Sequence, residues 1–220
     1  MDTSISPQSS NPENEADEKG ALVPNRFFFI TPHWGWTNNI TVSDLTDHMS
    51  AEFGTEEFTK EAKEIVKASA PDPYLTASKS KWYSRHRSIC LPGQSEDPIA
   101  EWKAGIHSGS KSFISFPPSS PVSSHNITLK ALRFCGRDEG FVLDSIPYVW
   151  KVKNWTSKKF KLCKKLRGQE QEIGRYWPSV TFASGGILVL DTDEVNDVVG
   201  IVTCLVMLWK ARQRHAERHG

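Results

Sequence analysis

The sequence predicts a mainly β (α+β) fold: a closed antiparallel β-barrel surrounding a C-terminal hydrophobic helix, plus one amphipathic N-terminal helix and a disordered N-terminal tail. Three observations carry this. From about residue 72, short apolar or alternating segments follow one another, with Gly, Pro and Asn turn signals between them. No alternation of strand and helix patterns appears, which disfavours a parallel doubly wound sheet. Near the C-terminus, residues 198–209 read "VVGIVTCLVMLW", a run without a charge that needs shelter from water.

Composition agrees with one globular domain. The 220 residues are 38% hydrophobic and 24% charged, with a net charge of +1 and eight Trp. Amphipathic rings of that kind suit half-buried sheet surfaces. The first segment, 1–24, is acidic and polar, holding Asp2, Glu13, Glu15, Asp17 and Glu18 against Lys19. It has little to bury and reads as disordered. It also lacks an apolar stretch, so no secretory signal is expected and the chain reads as intracellular, cytoplasmic or peripheral to a membrane. The sequons at Asn39, Asn126 and Asn154 are then chance matches. Cys90, Cys135, Cys163 and Cys204 are widely spaced, which argues against a zinc framework and for reduced thiols.

The barrel domain is assigned to 25–216. Order begins at "RFFFITP", closed by Pro32. Residues 55–70 form the amphipathic helix, with Phe58, Ala62, Ile65 and Val66 on one face and Pro71 as its stop. Strands follow at "KWYSRHRSI", "PIAEWKAGI", "SFISFP", "ITLKALRF", "GFVLDS", "YVWKVKN", "FKLCKKL", "EIGRYW", "VTFA" and "GILVLD". In "YVWKVKN" the apolar Tyr148, Trp150 and Val152 alternate with Lys151 and Lys153, a strand with one wet face.

The last element is a helix over 194–214. Asp191 is the expected cap, with Glu194 completing an acidic first turn and Lys210, Arg212 and Arg214 suiting the dipole at the far end. Its charge-free run spans about 18 Å at about 1.5 Å per residue. A bilayer core is about 30 Å thick and needs about 20 residues, so no transmembrane span is expected. A helix apolar all round must be surrounded by protein. A curled sheet covers it and loses its own edges in closing. Val198, Val199, Ile201, Val202, Leu205, Val206, Leu208 and Trp209 would fill the interior, Thr203 would bond one turn back, and Gly200 would admit a close wall.

These stretches, above all "GILVLDTDEVNDVVGIVTCLVMLWKARQR" with "DPIAEWK", "FPPSSPVSSHNITL" and "FVLDSIPYVWK", resemble the tubby C-terminal fold. LURP-one-related proteins of plants and phospholipid scramblases share that fold, and fungal tubby-like proteins are the nearest match. The resemblance covers about residues 72–216. It implies a filled barrel without a catalytic centre and, through tubby proteins, binding of membrane phosphoinositides.

The sharpest local feature is residues 151–167, "KVKNWTSKKFKLCKKLR", in which eight cations stand without an acid. Lys158, Lys159, Lys161, Lys164, Lys165 and Arg167 are the candidate anion or lipid site, and Trp155 could seat at a lipid interface. Against this stands a solvated face whose lysines guard an edge. The chemistry fits inositol phosphates, an anionic membrane and nucleic acid alike; the resemblance favours lipid headgroups over nucleic acid. Arg212, Arg214, Arg218, His215 and His219 form a second basic group, read as a solvated tail or an extension of the same surface.

Catalytic motifs are missing from the sequence: it has no GxSxG, P-loop or GxGxxG, and His86 and His125 lack metal-spaced partners. No cofactor and no metal is expected. "SSH" at His125 should hold a loop by side-chain to backbone bonds. Ser120-Pro121 could be a proline-directed phosphorylation loop. The expectation is a non-enzymatic binding protein for anionic headgroups (phosphoinositides); the alternative is a protein–protein adaptor using the acidic tail and helix 55–70.

Overall fold

The computed structural model describes residues 22–31, 39–68, 71–81, 83–93, 97–123, 125–132, 137–152, 159–178 and 185–219. Among them, twelve strands close into one antiparallel barrel in which every strand pairs with its neighbours in sequence and the first pairs with the last. The order is β1 (Arg26–Ile30), β2 (Asn39–Asp44), β3 (Pro73–Ser78), β4 (His86–Cys90), β5 (Ala100–Lys103) and β6 (Ser112–Ser115). Then come β7 (Ile127–Ala131), β8 (Glu139–Leu143), β9 (Ile146–Val152), β10 (Phe160–Leu166), β11 (Gln169–Pro178) and β12 (Gly186–Leu190). The wall thus has no free edge to attract a foreign strand.

β2 and β3 are strands the sequence reading did not find. Their polar residues masked a genuine alternation, in which Ile40 and Val42, then Leu75 and Ala77, are buried in the interior cluster. The segment "VTFA" and the tail up to residue 21 lie outside the described residues. Leu22 is buried at 8% exposure against β1 and β12. The hairpin turns follow local chemistry. Arg167 and Gly168, with φ of 50° and 80°, join β10 to β11. Asp144 and Ser145, with φ of 48° and 65°, do the same for β8 and β9. Paired positive φ is the turn whose twist matches its flanking strands.

Helix α1 (Glu56–Ala68) packs outside the barrel. Phe58 and Ala62 meet the outward-facing Phe29, Ile187 and Val189 of β1 and β12. The Phe58 amide donates to Thr55 Oγ1 at 3.3 Å and closes the first turn.

Helix α2 (Asp197–His219) lies within the strand wall. Every residue from Val198 to Leu208 except Gly200 is named among the buried side chains, and Trp209 is half-buried. Gly200 permits the close approach, since a Cβ there would stand 2.5 Å from Leu190 Cδ1. Thr203 Oγ1 donates to the Val199 carbonyl at 2.8 Å and accepts from Trp150 Nε1 at 3.1 Å. Among the described residues no helix is long and apolar enough to cross a membrane.

The helix start differs from expectation. Asp191 follows directly on β12, its amide donating to the Ile173 carbonyl of β11 at 2.9 Å, six residues before α2 begins. Its carbonyl and carboxylate hold the turn through Asp193, Glu194 and Val195. The cap is Asn196, whose Oδ1 accepts from the Val199 amide at 3.3 Å. The far end differs too: the basic group from Arg212 to Arg218 continues the helix instead of trailing from it.

Candidate anion-binding surfaces

The basic hairpin divides along its length. On β10, Phe160 and Leu162 point inward while Lys161 and Lys165 face out, beside Lys151 of β9. Glutamates of β11 answer this outer row. Glu172 lies 2.8 Å from Lys161 and also holds Arg175. Glu170 takes Lys165 at 2.9 Å together with Lys151. Bonds from Lys151 and Lys165 hold the Glu170 carboxyl below the usual carboxylate range. Lys151, Lys161 and Lys165 are therefore answered from the next strand, forming a cross-strand charge ladder.

The five predicted site residues that are described do not form one patch. Lys164 stands opposite Tyr148, and its ammonium sits 2.6 Å from Glu194 at the end where α2 begins. Its Glu194 bond raises its pKa above the ordinary lysine value. Arg167 occupies the β10–β11 turn at that same end. Lys159 is exposed and lies just before β10, at the opposite end. Lys158 and Trp155 lie outside the described residues.

A second basic surface is built by tertiary contacts at the end of the barrel where α2 finishes. Lys210 is wholly buried; its Nζ donates to the Ser110 carbonyl and to Glu139 Oε2, both at 2.7 Å. Arg214 holds the other Glu139 oxygen and donates to the Arg137 carbonyl at 3.2 Å. Glu139 sits at an inward position of β8, in phase with Phe141 and Leu143. Burial pushes its carboxyl up and the Lys210 ammonium down, while each pulls the other back toward its charged form.

Around this pair the cations accumulate. Arg87, 4% exposed on β4, donates to the Ala77 carbonyl at 3.2 Å and lies 5.9 Å from the Trp102 ring centroid. Trp102 in turn meets Trp209 edge-on at 6.2 Å. Lys79, just past β3, adjoins Arg87 and Arg212, and burial with those two charges brings its ammonium down to about 8. Burial alone brings Arg87 down to about 10. Arg137 lies near Arg214 and Arg218 and is depressed by burial and by both charges. Among the described residues Glu139, Asp138 and Glu217 supply carboxylates at this end, the last accepting from the Ser108 amide at 2.9 Å and hydroxyl at 2.6 Å.

Sequence reasoning missed Lys79, Arg87, Arg137 and Glu139 because they come from separate strands. One signal was present: Glu139 keeps the phase of the inward residues on β8, so a partner inside the barrel was required. The other candidates are structural. Ser123 Oγ accepts from the His125 amide and donates to its carbonyl, both at 3.1 Å, as expected for the "SSH" loop. His86 lies 3.5 Å from Glu101 and His125 3.7 Å from Asp144, all exposed. Cys90, Cys163 and Cys204 are buried thiols outside any disulfide, and burial pushes Cys163 up to about 11. Among the described residues no group of His, Cys, Asp and Glu could hold a metal ion.

Fold and site together define a helix-filled, closed antiparallel barrel with one basic mouth. Comparison of the chain with protein-family models, curated proteins and solved structures finds no match.

Proposed function

We propose that this protein is a non-enzymatic binding protein that engages anionic phospholipid headgroups, phosphoinositides among them, at a membrane surface inside the cell. The gathering of Lys79, Arg87, Arg137, Arg212, Arg214 and Arg218 at one mouth supports this reading. Cations held close together at a partly buried site repel one another, and an incoming phosphate relieves that repulsion. The hairpin joins this surface through Lys159 at its tip, while its ladder lysines remain engaged with glutamates. The resemblance to the tubby-like fold points the same way.

Vesicle sedimentation tests the reading. The chain should pellet with phosphatidylcholine vesicles containing phosphatidylserine and stay in solution with phosphatidylcholine alone. Binding should fade as salt rises from about 0.15 M to about 1 M, where the screening length falls from about 8 Å to about 3 Å. Arg212→Glu with Arg218→Glu should weaken it by about fivefold or more per charge. Pelleting that ignores both lipid charge and salt would end the proposal, and a stoichiometric protein partner with no lipid preference would favour the adaptor.

A further inference from the structure

In an antiparallel meander every second connection emerges at the same end of the barrel. The links β3–β4, β5–β6 and β7–β8 therefore lie side by side at one mouth, and contacts to α2 confirm which: Lys210 reaches Ser110, Glu217 reaches Ser108 and Arg214 reaches Arg137. Each of these links carries a large apolar side chain turned to solvent. Tyr83 is 62% exposed, Ile106 65% and Leu132 45%. One such residue on a surface needs no explanation. Three on consecutive same-end links, beside a cluster of cations, match the composition of an interfacial membrane contact.

The opposite end is richer in acids, although Lys164, paired with Glu194, and Arg167 also lie there. The link from β12 into α2 brings Asp191, Asp193, Glu194 and Asp197 together, and the β8–β9 turn adds Asp144. An anionic surface attracts one end of this barrel and repels the other. Charge thus selects the orientation, and the apolar side chains then have a lipid boundary to enter.

We infer that the barrel docks end-on onto an anionic lipid surface, with Tyr83, Ile106 and Leu132 seated in the headgroup–acyl boundary and the basic mouth facing phosphates. This rests on the headgroup reading and adds the orientation and the inserted residues. Both the cations and the apolar side chains contribute, so binding has a salt-sensitive and a salt-insensitive part. Docking by the wall of the β9–β11 ladder would involve neither Ile106 nor the mouth.

The test uses the full chain with Cys135 replaced by serine and a single surface thiol carrying a polarity-sensitive dye. One label goes on Ile106→Cys, and a control label goes on Val142→Cys, which is 58% exposed on β8 toward the acidic end. On phosphatidylserine-containing vesicles the Ile106 label should shift to the blue and the Val142 label should not. Unlabelled Tyr83→Ser/Ile106→Ser/Leu132→Ser should keep its circular dichroism spectrum and lose at least about tenfold in vesicle affinity. Sedimentation of the unsubstituted chain with neither label shifting, or a shift at Val142 alone, overturns end-on docking and leaves the headgroup reading standing. No sedimentation of the unsubstituted chain overturns both.

Discussion

Lysine, arginine and glutamate meet in two places in this molecule, under different physics. On the β9–β11 wall, Lys161–Glu172 and Lys165–Glu170 are ion pairs at the surface, with lysine side chains 28% and 40% exposed and glutamate side chains 11% and 35%. At the mouth, Lys210 and Glu139 are both 0% exposed, with Arg214 completing the group. Water already solvates the ladder charges, so pairing them adds little. The mouth charges have surrendered that solvation, and each is tolerable only while its partner stays. The ladder therefore describes a surface, whereas the mouth locks α2 to β8 and to the β5–β6 loop.

The sharpest way to break this comparison is to remove one buried partner. Glu139→Ala should lose about 3–5 kcal/mol of unfolding free energy, because it strands Lys210 without a counter-charge. Urea titration should show a fallen midpoint at nearly constant slope. Lys210→Met combined with Glu139→Gln should recover part of the loss, since the fully buried cation is gone and only Arg214, with its side chain 14% exposed, still lacks its counter-charge. A single-substitution loss as small as that of a ladder residue would erase the distinction.

Lys79 sharpens the comparison through pH. At pH 7 it is charged in both states, and the folded state holds that charge against burial and two arginines. The folded chain sheds this proton near pH 8 and the unfolded chain at its ordinary value of 10.5. Unfolding therefore takes up a proton between those values, and stability rises with pH across the window. Lys79→Met should stabilise the protein at pH 7 by no more than about 1 kcal/mol, given solvent screening at a half-exposed site. Thermal melts of the two chains should converge as pH approaches 10.5.

The smallest effect belongs to the ladder. A double-mutant cycle on Lys161→Ala and Glu172→Ala should return a coupling of about 0.5 kcal/mol, shrinking further in high salt. A coupling of several kcal/mol would mean the wall is not the solvated surface described here.

The hairpin also shows how far a charge run can be read. Nothing inside residues 151–167 opposes its cations, and the opposing acids, Glu170 and Glu172, come just beyond that window on the next strand. Antiparallel pairing folds them back onto Lys161 and Lys165. The alternating phase on β10 sends Lys164 inward to Glu194, away from its sequence neighbours. A linear count of charge carries no information about strand phase or cross-strand register, which is why one run became three environments.

Architecture was more legible than the site. A charge-free run too short for a bilayer, preceded by one-faced strands, leaves few arrangements that hide both, so barrel and central helix followed from hydrophobic pattern alone. β2 and β3 escaped because alternation that mixes Ile and Val with Thr and Ser is weak over six residues. The cap was misplaced because Asp191 and Asn196 satisfy the same local rule, and only the bond to Ile173 shows Asp191 to be tied to the end of the sheet instead of the helix. What the sequence determined by itself is local: which segments are apolar, with what period, and what must be buried. The tertiary structure alone decided which charges meet, because Lys79 finds Arg87 and Arg212, and Glu139 finds Lys210 and Arg214, only when alternate loops of a closed meander converge on the end of one helix.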